Sequence, residues 1–266
     1  MKRLRNGDIV GRISYNKDIF FIIKDITNKN NVILEGVFER IIADSDISDL
    51  ELIDKKDIVK KQKELEGHLK LEENRNKTVV KTGRILHLDG DKKYSQKSIR
   101  YYSRMGINAI VKNIPEYKQP KIVYTLLQYY KPDILVVTGH DGMIKKGYGF
   151  YDLYNYRNSK YFVATVKEAR RFDRYNNSDL AVFAGACQSY FEALISAGAN
   201  FASSPARILI DILDPLIVAT KLAITENYKY VSIEDLEEDL RDGTRGISGI
   251  GANREKERFL NIKARF

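Results

Sequence analysis

Cysteine is nearly absent from this chain: one thiol, Cys187, in 266 residues. A single cysteine excludes an internal disulfide, and the three histidines form no Cys/His cluster suited to a structural zinc site. There is no run of about eighteen apolar residues, and Met1 to Asp8 has no apolar core of the kind a secretory leader needs. A soluble chain made in a reducing cytoplasm, with no membrane partner, is therefore expected. The G-x-S-x-G elbow of serine hydrolases is missing too. Gly142 to Gly147 has the spacing of a phosphate-binding loop, but Tyr148 stands where the lysine should be, and the glycines of the tail make no G-x-G-x-x-G. Neither a cofactor nor a metal is expected. The net charge of +9 is spread along the chain and forms no block, so nucleic acid is not an expected partner.

The lone thiol sits in a telling place. In Leu180-Ala181-Val182-Phe183-Ala184-Gly185-Ala186-Cys187-Gln188-Ser189 an apolar, strand-like run ends in small residues, and a helical pattern begins. A thiol beside backbone N–H groups and the start of a helix has a lowered pKa and becomes a nucleophile. The plain alternative is a buried, inert cysteine. A catalytic reading needs a histidine within reach, and Asp133-Ile134-Leu135-Val136-Val137-Thr138-Gly139-His140-Asp141-Gly142 has the same shape. If the two runs are neighbouring parallel strands, Cys187 and His140 both emerge at the carboxyl edge of the sheet, where open α/β folds place their sites.

In chain order, residues 1–50 read as short strands (8–13, 19–26 and 31–37) parted by turn residues, which suits a small all-β barrel module of SH3-like or KOW-like kind. Residues 51–82 are highly charged and read as a solvated helical linker containing His68. Residues 83–242 alternate strand and helix, predicting an α/β domain with a mainly parallel sheet flanked by helices. Its strands are expected at 84–89, 107–111, 133–138, 180–184 and 199–205. Its helices are expected at 93–105, 122–130, 159–171, 188–197, from 214, and at 232–240. His87 faces the sheet by alternation and reads as structural. The loop 142–158 is rich in glycine and tyrosine and is expected to shape a cleft. Residues 243–266 read as a flexible basic tail.

An apolar strand ending in His140-Asp141-Gly142, followed 47 residues after the histidine by one ending in Gly185-Ala186-Cys187, resembles the caspase-like cysteine peptidases, including legumain, clostripain and gingipain. Asp141 separates His from Gly, and Gly185 replaces the usual Gln or Glu. The blocks Gly7 to Val10, Ile41 to Asp46, Leu86 to Asp91, Lys131 to Asp141, Phe183 to Ser189 and Gly198 to Pro205 resemble the sporulation-specific YabG cysteine peptidase family of endospore-forming Firmicutes. The resemblance implies a caspase-like fold and an endopeptidase that cleaves spore coat and cortex-lytic precursor proteins after Arg, in the mother-cell cytoplasm and the forming spore coat.

On that reading Cys187 is the nucleophile and His140 the general acid and base. The N–H groups of Cys187 and Gly142 hold the oxyanion. A carboxylate must receive the arginine, and Asp89, Asp91 and Asp141 are the candidates. Basic residues in the linker and loops predict autoprocessing. The competing reading is a noncatalytic coat-assembly or RNA-binding protein that uses the basic β module, with Cys187 a core residue.

Overall fold

Runs such as Ile134-Leu135-Val136-Val137 and Ala181-Val182-Phe183-Ala184 are apolar on both faces, and a strand of that kind is stable only when helices cover it on both sides. The computed structural model of the chain describes residues 4–27, 30–72, 82–144, 149–226 and 229–253, the last nine of 30–72 as helix backbone only. It contains the α/β arrangement that such runs require.

Strands β1 (Ile9–Arg12), β2 (Phe21–Ile26), β3 (Asn31–Gly36), β4 (Ile42–Asp46) and β5 (Leu50–Leu52) form one antiparallel sheet in the order β4-β3-β2-β1-β5. The last two lie beyond the strands read from sequence. Helix α1 (Lys55–Glu72) follows, and its described side chains are mostly exposed, as its charge requires. The rest of the linker, 73–81, and the side chain of His68 lie outside the described residues.

The second sheet is built from β6 (Ile85–Asp89), α2 (Lys92–Arg104), β7 (Ala109–Asn113), α3 (Gln119–Tyr130), β8 (Ile134–Thr138), α4 (Ser159–Asn176), β9 (Ala181–Ala184), α5 (Phe191–Ser196), β10 (Phe201–Ser203) and α6 (Asp214–Ile224). Strands β7-β6-β8-β9-β10 run parallel in that order. Alternation along each strand sends Leu86, Leu88, Leu135 and Val137 toward α3, α4 and α5. Ile85, Ile134, Val136 and Phe183 face the other way, into a core shared with α2 and α6. Val10, Phe21, Val32 and Leu34 of the first sheet join that second core, so the antiparallel sheet is packed onto the α/β sheet.

The chain leaves β6 for β7 on one side and returns to β8 on the other, which puts the topological switch point between β6 and β8. Asp89 and Thr138 face each other in register at that point.

Two expectations are corrected here. Residues 232–240 form successive turns closed mainly by i to i+3 bonds, not a helix, because Glu234, Asp235, Glu237, Glu238 and Asp239 would repel one another at helical spacing. The stretch 243–253, read as flexible tail, contains β12 (Ile247–Gly249), which pairs antiparallel with β10 and closes that edge of the sheet. Beyond it, β13 (Ala252–Asn253) pairs with β11 (Tyr230–Val231). Ile247 is fully buried, and its burial holds the strand in place. Residues 254–266 lie outside the described part of the chain.

Candidate active site

Strand β8 ends at Thr138, and the next turn places His140 under α2. The His140 N–H donates to Glu116 Oε1 at 2.8 Å, with Glu116 packed directly against Gly139. The imidazole is buried at 5 % exposure with its ring centroid 5.7 Å from that of Tyr94, and its Nε2 has no hydrogen-bond partner. Burial lowers its pKa below the ordinary imidazole value, although the Glu35, Asp91 and Asp89 carboxylates pull the other way.

Strand β9 ends at Ala184. Gly185 then turns the chain with φ +114°, and a Cβ there would lie 2.3 Å from Ser203 Oγ, so only glycine fits. Two residues on, the Cys187 sulfur receives the Ile210 N–H at 3.4 Å and faces the Ile210 carbonyl at 3.8 Å. Burial pushes the thiol up to about 11. The expected acidic thiol is thus corrected, because the helix behind it begins only at Phe191 and spans six residues, too far away and too short for its dipole to act on the sulfur. Adjacent parallel strands deliver Cys187 and His140 to one sheet edge, yet no hydrogen bond links the two side chains among the described residues.

Between them lies a residue with no signal in its own sequence neighbourhood. Arg40, just before β4, is 1 % exposed. Its Nη1 stands 3.1 Å from Asp89 Oδ2, itself fully buried, and its guanidinium carbon lies 4.7 Å from the Tyr94 ring centre. The Arg40 carbonyl accepts the Asp141 N–H at 3.3 Å, Ile42 N–H donates to the Asp141 carbonyl at 2.9 Å, and Ile41 forms a parallel bridge with Asp141. The antiparallel sheet therefore lays its backbone along the loop that carries His140.

That approach explains Gly142, where a Cβ would sit 2.0 Å from the Ile42 carbonyl oxygen. Gly142→Ala is expected to cost about 1–3 kcal/mol through overpacking against backbone, seen as a lower midpoint of thermal unfolding. An unchanged midpoint would show that the two sheets do not press together here.

The three candidate carboxylates have different situations. Asp89 faces Arg40, accepts the Thr138 hydroxyl at 2.9 Å and the Asp91 N–H at 2.9 Å, and lies 3.7 Å from His87 Nε2. Asp91 caps α2 by accepting the Tyr94 N–H at 2.8 Å. Asp141 is not free to take a substrate arginine: its oxygens accept the N–H groups of Gly142 and Asn158 and the hydroxyls of Ser159 and Ser189. It ties the His140 loop to α4 and to the loop after Cys187, and burial pushes its pKa up to about 6. Gly142 N–H is taken by the Asp141 carboxylate, and the N–H that reaches a peptide carbonyl is that of Asp141.

His87 is structural as read, bonded to Thr138 Oγ1 at 2.7 Å and to the Tyr102 hydroxyl at 3.2 Å, with burial lowering its pKa to about 3. One ligand atom each from Glu35, Asp91 and His140 lie within 4.8 Å of one another, a His and carboxylate set that offers a divalent cation three donors. Arg40, Tyr94 and Glu116 were missed in the sequence because each arrives from a distant element. The one signal available was that Gly90 and Gly139 both end strand-like runs, and both lie against Glu116.

Comparison with known proteins returns one family. The family model described as YabG peptidase U57 matches residues 5–258. The sporulation-specific protease YabG of Bacillus subtilis (strain 168) is 37 % identical over 271 residues, covering 92 % of this chain and 93 % of that protein. No solved structure matches. No helix among the described residues is long and apolar enough to cross a membrane. A match running almost from end to end, joined to that level of identity, places this chain in the YabG peptidase family.

Proposed function

We propose that the chain is a sporulation protease of the cysteine type, with a caspase-like fold, that cleaves spore coat and cortex-lytic precursor proteins after arginine in the mother cell and the forming coat. The observation that carries this reading is the delivery of Cys187 and His140 by adjacent parallel strands to the carboxyl edge, beside a buried carboxylate that already holds a guanidinium. His140 takes the Cys187 proton as the sulfur attacks the peptide carbonyl, passes it to the leaving amine as the C–N bond breaks, and then activates the water that hydrolyses the thioester and frees the sulfur.

The oxyanion is held by the N–H of Cys187, which no described residue accepts, and by that of Asp141, each worth on the order of 3 kcal/mol. Asp89 is the arginine receptor. It is buried and already opposite a cation, and bidentate pairing with guanidinium needs such a site. Asp91, which caps a helix, and Asp141, which ties loops together, are positioning residues. The thiol is neutral in this arrangement, so activation requires a shift that brings the imidazole to the sulfur.

The five-stranded antiparallel sheet, in which β1 pairs with both β2 and β5, supports an SH3-like reading of residues 1–50. The charged linker 51–82, the peptidase domain 83–242 and the segment 243–266 complete the organisation. Reporter peptides carrying Arg, Lys or Asp before the scissile bond test the function, and selective release after Arg is the expected result. The reading does not survive the absence of cleavage with all three.

Autoprocessing belongs to the same reading. The intact mass of the native chain is expected to fall on incubation while that of Cys187→Ala stays constant. Identical masses for the two after prolonged incubation would remove self-cleavage.

A further inference from the structure

The turn between β3 and β4 sends one arginine, Arg40, into the α/β domain, and its surroundings are unusual for a structural ion pair. A guanidinium offers five N–H donors, and a buried one is stable only when most are satisfied. Arg40 has one carboxylate contact, to Asp89, and one ring face, Tyr94, while its Nε, Nη1 and Nη2 make no hydrogen bond of acceptable geometry. It is a guest in a charged slot and not a fully bonded strut.

The backbone around it behaves as a bound peptide does. The Arg40 carbonyl is held by the Asp141 N–H, Ile42 donates back to the Asp141 carbonyl, and Ile41 is paired in parallel with Asp141. This is strand addition along the loop that carries His140, with a side chain dropped into a pocket. The Cys187 sulfur lies beside the Arg40 backbone N–H. The preceding residues are tied down by Lys93 Nζ, which donates to the Val37 carbonyl at 3.0 Å.

We propose that Arg40 is an internal ligand of the arginine pocket: its side chain fills the space between Asp89 and Tyr94 that a substrate arginine takes, and the 40–42 backbone takes the pairing along Asp141 that a substrate backbone takes. The resting cleft is closed by the chain itself, and an arginyl substrate binds only by displacing this segment. Tyr94 thereby joins Asp89 as a specificity residue, its ring supplying a face for the guanidinium. The inference rests on the peptidase reading for the meaning of the pocket, but occupancy of the pocket can be measured without catalysis.

The test uses the full chain and agmatine, a free guanidinium on a short alkyl amine. In the Cys187→Ala background, calorimetry is expected to show agmatine binding at least about tenfold tighter when Arg40→Gln is added than when Arg40 is present and must be displaced. With the cysteine intact, Arg40→Gln is expected to speed alkylation of Cys187 by iodoacetamide at neutral pH by about tenfold or more, and to lower the KM for an arginyl reporter by a similar factor, because the closed fraction no longer competes. A folded Arg40→Gln variant that neither binds agmatine nor alkylates faster overturns the proposal.

Should Arg40→Gln fail to fold, the unaltered protein gives the answer. Agmatine is then expected to accelerate alkylation in a saturable way while butylamine does not, and equal rates with both overturn the proposal. Reporter cleavage with a KM indifferent to Arg40→Gln sinks the internal ligand and leaves the peptidase standing. Agmatine binding without any cleavage does the reverse.

Discussion

Replacing Cys187 by alanine is expected to lower the cleavage of arginyl peptides by about four orders of magnitude or more, as loss of a nucleophile does in other peptidases. The fold should remain. Removing the sulfur deletes one buried atom and leaves the Ile210 N–H without its partner, which together cost on the order of 1–3 kcal/mol. Initial rates with arginyl reporters, measured beside circular dichroism, separate the two effects. A variant that cuts at the native rate ends the nucleophile assignment. His140→Ala is expected to lose a comparable factor, and the double variant little more, since residues that act as a unit are not additive.

The second large effect is on stability. Asp89→Ala strips a fully buried guanidinium of its counter-charge, and breaking one partner of a buried pair costs about 3–5 kcal/mol. Two further contacts are lost with it, those from the Thr138 hydroxyl and the Asp91 N–H. The thermal midpoint is expected to fall on the order of 10 °C for a chain of this size. Asp89→Asn with Arg40→Met removes both charges while keeping volume and an acceptor, and is expected to recover most of the loss. In that recovered background the preference for arginyl over uncharged reporters should vanish. A midpoint untouched by Asp89→Ala would mean that the ion pair carries no weight, and an arginine preference that survives in the recovered pair would assign the pocket to another carboxylate.

Much of the α/β sheet was legible because the physics is local. Ile134 to Thr138 and Ala181 to Ala184 are buried on both faces, Gly106 with φ +67° closes α2, and Pro132 stops α3 two residues after Tyr130. The placement of Cys187 and His140 at adjacent strand ends followed from the same runs. What sequence did not disclose depends on contacts between distant elements. Arg40 sits in a Glu-Arg pair that reads as surface charge until the two sheets are packed together. The thiol's environment depends on Ile210, far along the chain, and the N–H facing a carbonyl depends on how Asp141 turns its carboxylate back on its neighbours. The strand at Ile247 to Gly249 is glycine-rich and short, so its order comes from the β10 edge it covers and not from its own preference.

An open sheet side is a template that another molecule's backbone can annex. Here one flank ends in three reversed residues followed by a turn, and the opposite flank, β7, carries Lys112 and closes on Asn113 before the turn at Pro115. Neither offers a long uninterrupted ladder, so neither flank of this sheet is a ready template for growth of a fibre.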